Sequence, residues 1–135
     1  MDSLSTEQRS ENMRRISGMN TKPEMYVRRL VHARGFRYRL HVANLPGKPD
    51  MVFPKLQKVI FVHGCFWHLH SACREGRIPA VRREYWEPKL RRNVERDREH
   101  LAALKKLGWK SLVVWECETR RAKRLQAKLD QFLND

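Results

Sequence analysis

Acidic residues are scarce in this chain. Its 135 residues include 15 Asp and Glu against 29 Lys and Arg, which gives a formal net charge of +14 at pH 7. An excess of positive charge this large in a short chain is typical of a protein that binds a polyanion, and it favours nucleic acid over a membrane surface. A solvated basic surface without an anionic partner is the alternative interpretation.

Long apolar runs are also missing. No stretch approaches the roughly 20 apolar residues that cross a bilayer, and the N-terminus "MDSLSTEQRSENMRRISG" lacks the apolar centre of a signal peptide. We therefore expect a cytoplasmic protein with no membrane partner. Apolar residues nevertheless make up 41% of the chain and recur at regular spacing, which predicts one folded domain over residues 1–135. Residues 1–18 have few apolar side chains, so we expect a short helix or an arm that orders on DNA.

The chain has only three cysteines, an odd number that excludes a complete disulfide framework. Two of them lie in the segment "VHGCFWHLHSAC", residues 62–73. Three thiolates and one imidazole form the closed tetrahedral ligand set of structural zinc. The predicted ligands are Cys65, His70, Cys73 and Cys117. By spacing alone His68 fits as well as His70, and a group of buried thiols without metal is the alternative.

The apolar periodicity predicts the order helix, strand, strand, strand, helix, strand, helix, which indicates an α/β fold with a mixed sheet covered by helices. The first helix has Asn20 or Thr21 as its N-cap and Gly35 as its stop signal. Pro88 fits the second helix only if it lies in the first turn. The predicted elements are a helix that follows residue 21, strands at 37–42, 51–53 and 59–62, a helix at 84–107, a buried strand at 109–117 and a helix at 119–133.

Asp50 is the first candidate for chemistry. If residues 54–57 form the turn of a β-hairpin, Asp50 lies opposite Phe61 and Val62 and next to His63. A carboxylate beside a backbone carbonyl at a strand end is a common way to hold a divalent cation, although Asp50 also fits as the closing residue of the turn. Glu24 lies in the first turn of its helix, where a capping role is the simpler explanation.

Four sequence segments resemble the very-short-patch-repair (Vsr) endonuclease family: "LPGKPDMVF", "VIFVHGCFWH", "REYW" and "NVERDREHLAALKKLGWKSLVVWEC". The similarity runs from about Glu11 to Cys117. It implies a restriction-endonuclease-like PD-(D/E)xK fold, with a central mixed sheet flanked by helices and a structural Zn²⁺ site. It also implies a Mg²⁺-dependent enzyme that nicks one strand of DNA 5′ to the thymine of a T:G mismatch, a lesion produced when 5-methylcytosine deaminates.

The resemblance assigns roles within the candidate site. Asp50 matches a magnesium ligand, and the Val62 backbone carbonyl matches a second ligand. His63 and His68 match the catalytic histidines, which favours His70 as the zinc ligand and leaves open which of the two accepts the proton. Glu24 matches a glutamate that completes the site by orienting His63. The chain departs from the family pattern by one extra residue between His70 and Cys73 and by a valine at position 62.

The resemblance also implies DNA contacts. It matches Phe66, Trp67 and Trp86 to side chains that insert beside the mismatched pair, where unstacking costs least. Lys89 and Asn93 match groups that reach the edges of the mismatched bases. The remaining candidates are arginines that suit phosphate contacts: Arg14, Arg15, Arg82, Arg83, Arg91 and Arg92.

Three other functions stay open at this point: a sequence-specific restriction-type endonuclease, a zinc-stabilised DNA-binding module without catalysis, and a zinc hydrolase that uses His68 and His70. A closed set of four ligands argues against the hydrolase, because it leaves zinc no open position. As partners we expect double-stranded DNA with a T:G mismatch and, in addition, mismatch-repair proteins. We expect the enzyme to be a monomer that associates with the bacterial nucleoid.

Overall fold

The computed structural model describes residues 21–135, which form a four-stranded mixed sheet and three α-helices. The order of helices and strands is the predicted one. Two short 3-10 turns, Arg74–Gly76 and Glu116–Arg120, complete the structure. The helices and strands are α1 (Lys22–Ala33), β1 (Arg39–Leu40), β2 (Met51–Phe53), β3 (Lys58–His63), α2 (Arg83–Lys106), β4 (Lys110–Trp115) and α3 (Ala122–Asn134).

The sheet has the strand order β1-β2-β3-β4, with antiparallel pairs on one side of β3 and a parallel pair on the other. In the β2–β3 hairpin Met51 lies opposite Ile60 and Val52 opposite Val59, which confirms the predicted register. In the parallel pair, His63 at the end of β3 lies beside Trp115 at the end of β4. A parallel pair needs a long crossover, and here the crossover contains α2 and the loop over residues 64–82, called the Cys/His loop below.

The first helix begins and ends as the sequence predicts. The Thr21 hydroxyl accepts a hydrogen bond from the Glu24 backbone N–H at 3.3 Å, and Pro23 lies in the first turn, where a missing N–H costs little. Beyond the C-terminus Gly35 has φ +86°, a left-handed conformation that glycine adopts without steric cost. Thr21, and not Asn20, is therefore the N-cap.

Side chains of the sheet alternate between two apolar layers. One layer, beneath α1 and α3, contains Met51, Ile60 and Val114; the other contains Val52 and Val59 with Leu104 of α2. Because helices cover both faces, β3 is buried along nearly its whole length. This arrangement fixes the C-terminal end of β3 firmly, and the candidate site lies at that end.

Three details differ from the expectations. The first strand is only Arg39–Leu40, both exposed, because it pairs with the short β2 alone. In β4 only Val114 is fully buried, because β4 lies at the end of the strand order that the described residues form. Pro88 lies in the second turn of α2, not the first, because the helix already begins at Arg83.

The predicted N-terminal arm at residues 1–18, with Arg14 and Arg15, lies outside the described residues. Of the helices between residues 21 and 135, none combines the length and the apolar character that crossing a membrane requires.

Candidate active site and metal cluster

A cleft of about 800 Å³ opens at the C-terminal end of β3. Its walls come from the β1–β2 loop, the Cys/His loop and α2, so segments distant in sequence meet there. Asp50, His63 and His68, three of the predicted site residues, line this cleft together with the Val62 backbone segment. The hairpin register and the crossover through α2 are therefore what bring the site together.

The Asp50 carboxylate lies where the hairpin register places it. Its Oδ2 accepts a hydrogen bond of 2.6 Å from the Val62 backbone N–H. Burial, followed by a hydrogen bond to the neighbouring Glu24 carboxyl, raises the pKa of Asp50 to about 8, although the Val62 hydrogen bond and Arg28 act in the opposite direction. Two carboxyl groups held together away from water favour a cation that offsets their charge. These oxygen donors suit a hard divalent cation such as Mg²⁺.

Glu24 is almost completely buried, with 2% of its surface exposed. Its Oε2 forms an ion pair with Arg28, one turn along α1, and lies 3.4 Å from Nε2 of His41. His41 follows β1 and has φ +48°, a conformation that is uncommon for residues other than glycine. Glu24 is thus held by Arg28 and His41 and faces Asp50. Its predicted action on His63 stays a prediction.

His63 and His68 form a stacked pair of imidazoles. Their ring centroids lie 3.8 Å apart and their planes differ by 3°. Nδ1 of His68 is 2.6 Å from Oδ2 of Asp97 on α2. Burial, and then the nearby His68, lowers the pKa of His63 to about 3, with Asp97 opposing the shift. His63 is therefore neutral near pH 7, and His68 has a carboxylate that fixes its ring.

The cysteine and histidine side chains converge as predicted. One ligand atom from each of Cys65, His70, Cys73 and Cys117 lies within 4.8 Å of all the others. Nδ1 of His70 is 3.4 Å from the Cys117 sulfur and 3.7 Å from the Cys65 sulfur. Separations of this size fit four ligands around one ion, because Zn–S and Zn–N distances are about 2.3 and 2.0 Å. Of the two histidines that fit by spacing, His70 joins the thiols and His68 faces the cleft.

The extra residue between His70 and Cys73 is accommodated in a tight turn. The Cys73 backbone N–H donates to the His70 carbonyl at 3.2 Å, and Gly76 lies against the His70 backbone. A Cβ on Gly76 would be 2.1 Å from the His70 carbonyl oxygen. Burial raises the pKa of the Cys65 thiol to about 12, which means that a bound cation is needed to hold the thiolate form at neutral pH.

The aromatic residues form a cluster at one side of the cleft. Ring centroids of Phe66 and Trp67 are 5.0 Å apart, and Trp86 on α2 lies 5.3 Å from Phe66 and 5.9 Å from Trp67. Nζ of Lys89 donates to the Tyr85 hydroxyl at 3.1 Å and lies 6.0 Å above both Trp67 and Trp86. All three predicted wedge residues are therefore together and partly exposed, and two of them, Phe66 and Trp67, belong to the Cys/His loop.

Helix α2 supports this aromatic cluster. The Asn93 side-chain amide donates to the Trp67 carbonyl at 3.1 Å, so in the free protein it fixes the loop instead of pointing to open solvent. Arg91 pairs with Glu87 at 3.3 Å and is 62% exposed, while Arg92 is exposed on the same helix. Both arginines are accessible to a phosphate backbone.

Four residues of the site escaped the sequence analysis: Arg28, His41, Asp97 and Trp115. Asp97 had a signal, because it lies one turn beyond the candidate Asn93, and both side chains line the cleft. No local pattern pointed to Arg28 and His41, which hold Glu24, because their contact depends on how α1 packs against the β1–β2 loop. Trp115 lies within the predicted buried strand at 109–117, where its apolar side chain indicated only a packing role.

Comparison with known proteins identifies relatives along the whole chain. The family model described as DNA mismatch endonuclease Vsr matches residues 1–74. The chain is 47% identical over 133 residues to the type II nicking enzyme V.XorIIP of Xanthomonas oryzae pv. oryzae, which covers 98% of this chain and 97% of the relative. It is 44% identical over 117 residues to the DNA mismatch endonuclease Vsr of Escherichia coli (strain K12), 87% of this chain and 74% of the relative. A third relative is the type II nicking enzyme V.NmeAIP of Neisseria meningitidis serogroup A, 40% identical over 134 residues, with 99% and 95% coverage.

Proposed function

Because the chain belongs to the Vsr family of DNA mismatch endonucleases, we propose that it nicks one strand of duplex DNA on the 5′ side of the thymine in a T:G mismatch. The family makes the chain a DNA endonuclease of very short patch repair. Beyond this, we propose which mismatch is recognised, which strand is cut and which metal the reaction uses. On the same basis we propose a restriction-endonuclease-like PD-(D/E)xK fold and a single nuclease domain over residues 1–135.

The proposal depends on one observation: the Asp50 carboxylate and the His63–His68 pair line the same cleft. A cation site beside a fixed imidazole is the arrangement that hydrolysis of a phosphodiester needs, because one group stabilises developing charge while the other takes a proton. The 16.2 kDa chain carries a net charge of +14, which suits a DNA substrate.

We assign Mg²⁺ to Asp50 and to the Val62 backbone carbonyl. A Mg²⁺ held by these two groups would supply Lewis-acid stabilisation of the charge that develops on the scissile phosphate and the leaving oxygen. The carboxyl pair of Asp50 and Glu24 is what the cation compensates, and Arg28 and His41 hold Glu24 in place. Because Arg28 already offsets part of the negative charge, the site retains one carboxylate for the ion.

His68 is the best candidate for the general base. Its Nδ1 faces the Asp97 carboxylate at 2.6 Å, so the proton of the neutral ring stays on Nδ1 and the Nε2 lone pair is available to accept a proton from the attacking water. Asp97 then stabilises the imidazolium that forms. His63 is buried with 7% of its surface exposed, and its lowered pKa suits a neutral ring that fixes His68 by stacking.

We further propose that Cys65, His70, Cys73 and Cys117 bind a structural Zn²⁺. The loop over residues 64–82 has few apolar side chains that are buried, so metal binding supplies the folding energy that a core would supply elsewhere. The ion holds the loop that carries Phe66, Trp67 and His68.

Mismatch selection is proposed to come from the aromatic cluster of Phe66, Trp67 and Trp86. Inserting a ring between stacked bases costs a few kcal/mol per base step, and this cost is lowest at a mismatched pair. Lys89 and Asn93 border these rings, and we propose that they contact the base edges. The candidate phosphate contacts are Arg14, Arg15, Arg82, Arg83, Arg91 and Arg92.

As partner we propose double-stranded DNA with a T:G mismatch, with mismatch-repair proteins as additional partners. We propose that the enzyme acts as a monomer, in the bacterial cytoplasm at the nucleoid.

The test is a nicking assay with Mg²⁺ on duplexes that differ only by T:G against T:A, within a cytosine-methyltransferase sequence. We expect one nick, 5′ to the mismatched thymine. Asp50→Ala should abolish cutting while DNA affinity in the absence of Mg²⁺ changes little, because Asp50 contributes no positive charge.

Two outcomes would contradict the proposal. Equal cutting of the T:A duplex would indicate a restriction-type nickase, a function that the names of two relatives, type II nicking enzymes, make the second candidate. Full activity of Asp50→Ala would indicate that Asp50 and the histidines are structural.

A further inference from the structure

Trp115 stands between the two metal-related groups of the protein. Its indole is stacked on the zinc-ligand candidate His70, with ring centroids 4.1 Å apart and an interplanar angle of 11°. His63 contacts the same indole at an edge, at 5.3 Å and 74°. One side chain therefore contacts a member of the cysteine and histidine cluster and a member of the catalytic pair.

The backbone explains why Trp115 reaches both. It is the last residue of β4 and pairs in register with His63, the last residue of β3. Cys117, another ligand of the cluster, follows two residues later in the 3-10 turn. The Trp115 backbone N–H donates to Oε1 of Glu118 at 2.8 Å, which fixes the end of the strand where the chain turns towards the cluster.

The contacts extend to the group that faces the substrate. His68 is stacked on His63 at 3.8 Å and lies 6.4 Å from Trp115 at 72°. The rings thus form a continuous series from His70 through Trp115 to His63 and His68. Packed aromatic rings resist sliding and tilting, because each displacement costs dispersion contacts on both faces.

We propose that Trp115 is a positioning residue for the proposed nicking reaction. It transmits the fixed orientation of the cysteine and histidine cluster to the His63–His68 pair, and it contacts no reacting atom itself. The inference rests on the proposed function for its kinetic consequence, while its structural part concerns only the rings. Loss of the indole should let His63 tilt, and misplacement of a catalytic group by about 1 Å can cost about 10²-fold in rate.

The experiment compares zinc-loaded Trp115→Phe and Trp115→Leu with a matched control, Trp109→Leu. Trp109 precedes the same strand but packs in the other apolar layer, beside Leu104. We expect Trp115→Leu to lower kcat by about 10- to 100-fold, with KM for the T:G duplex and the zinc content within about twofold of the wild type. Trp115→Phe keeps a ring against His63 and should recover most of kcat, and Trp109→Leu should leave kcat within about threefold.

A second measurement does not depend on activity. NOE signals between the His63 and His68 imidazoles, in zinc-loaded protein without DNA, should weaken in Trp115→Leu and stay close to the wild type in Trp109→Leu, because an NOE reports the distance between the rings and not the lost indole ring current. If Trp115→Leu does not fold, Trp115→Ile replaces it, because a β-branched residue suits a strand end.

Two results would overturn the inference. One is a Trp115→Leu protein with zinc bound, unchanged imidazole signals and wild-type kcat. The other is a variant that loses zinc and recovers its full kcat once zinc is restored, because the indole would then serve only the metal cluster. If the wild type nicks no duplex, the proposed function fails, while the imidazole signals still decide the role of Trp115.

Discussion

At the scale of single residues, the site is built from side chains whose ordinary ionisation is changed by burial. Burial raises the pKa of Asp50 to about 8 beside the buried Glu24, and burial keeps His63 neutral near pH 7. Such groups destabilise the free protein and become useful when the missing charge arrives with a cation or a substrate. We therefore expect that replacing Asp50 by a neutral residue stabilises the fold.

Asp50→Asn should raise the melting temperature of the zinc-loaded, magnesium-free protein by a few degrees at pH 8. The folded-state pKa of Asp50 is raised to about 8 from 3.8. The free energy of unfolding of the wild type therefore falls as the pH rises from about 4 to 8. The neutral amide of Asp50→Asn does not titrate, so the variant does not lose this stability. Thermal melts at pH 4.5 and pH 8 test this: the gain should be large at pH 8 and small at pH 4.5. A variant that melts below the wild type at pH 8 would contradict a raised pKa of Asp50 in the folded protein.

Asp97→Asn should lower kcat for nicking by about 10²- to 10⁴-fold, the range that general base catalysis contributes. An amide at position 97 does not hold the proton on Nδ1 of His68 and does not stabilise an imidazolium. Single-turnover nicking measures the effect, and DNA binding together with the melting temperature shows that the fold is retained. A carboxylate introduced one turn away by Asn93→Asp should not replace that of Asp97, because the side chain at position 93 contacts the Trp67 carbonyl and not His68. A variant with unchanged single-turnover rate would remove His68 from the role of base.

At the scale of elements, a loop without an apolar core is held by one small cluster. The segment from Cys65 to Cys73 presents alternate histidines to different sites: His68 faces the cleft and His70 faces the thiols. Leu69 between them has φ +47°, a left-handed conformation that redirects the chain. The loop therefore carries candidate metal ligands together with a candidate catalytic histidine, and its packing should matter for both.

Gly76→Ala should weaken zinc binding and destabilise the protein by about 1–3 kcal/mol, the usual cost of overpacking. The new Cβ would lie 2.1 Å from the His70 carbonyl oxygen and 2.6 Å from its nitrogen, so the backbone of a ligand has to move. Zinc content after dialysis and thermal melts measure the effect. Gly64→Ala is the matched control for both measurements, because its Cβ would meet only the Trp67 side chain at 3.6 Å. Equal zinc retention by the two variants would show that the loop yields without cost.

At the scale of the whole molecule, electrostatics dominates. With a net charge of +14, the protein attracts any duplex through its phosphates, so low-salt affinity says little about mismatch recognition. Specificity has to be measured as the difference between mismatched and paired DNA at one salt concentration. We expect the net charge to provide most of the affinity and the proposed aromatic cluster to provide the selection.

If about 6–10 phosphates are neutralised, the affinity for duplex DNA should fall roughly 10³- to 10⁵-fold between about 50 and 200 mM salt. Titrations with paired and mismatched duplexes should give similar slopes, because the phosphate contacts are shared. Arg92→Ala should lower the slope by about 1 for both duplexes. A salt-independent affinity would show that the charge has another use.

Much of the architecture could be predicted from local patterns. The order of helices and strands, the hairpin register around residues 54–57 and the capping of α1 by Thr21 follow from period-2 and period-3.6 spacing and from turn residues. The family assignment is confirmed by the relatives. The site residues, the two metals and the oligomeric state stay predictions, because the structure brings groups together without testing their roles.

The sequence by itself determined which side chains are available and where the chain turns, because hydrophobic spacing, proline and glycine act over a few residues. Only the tertiary structure decided which of His68 and His70 joins the thiols, that Asp97 from α2 meets His68, and that Trp115 lies between the two groups. The His68–Asp97 and His70–Cys117 contacts join residues that are 29 and 47 positions apart. They depend on the parallel pairing of β3 with β4 and on the packing of α2, which no local pattern encodes.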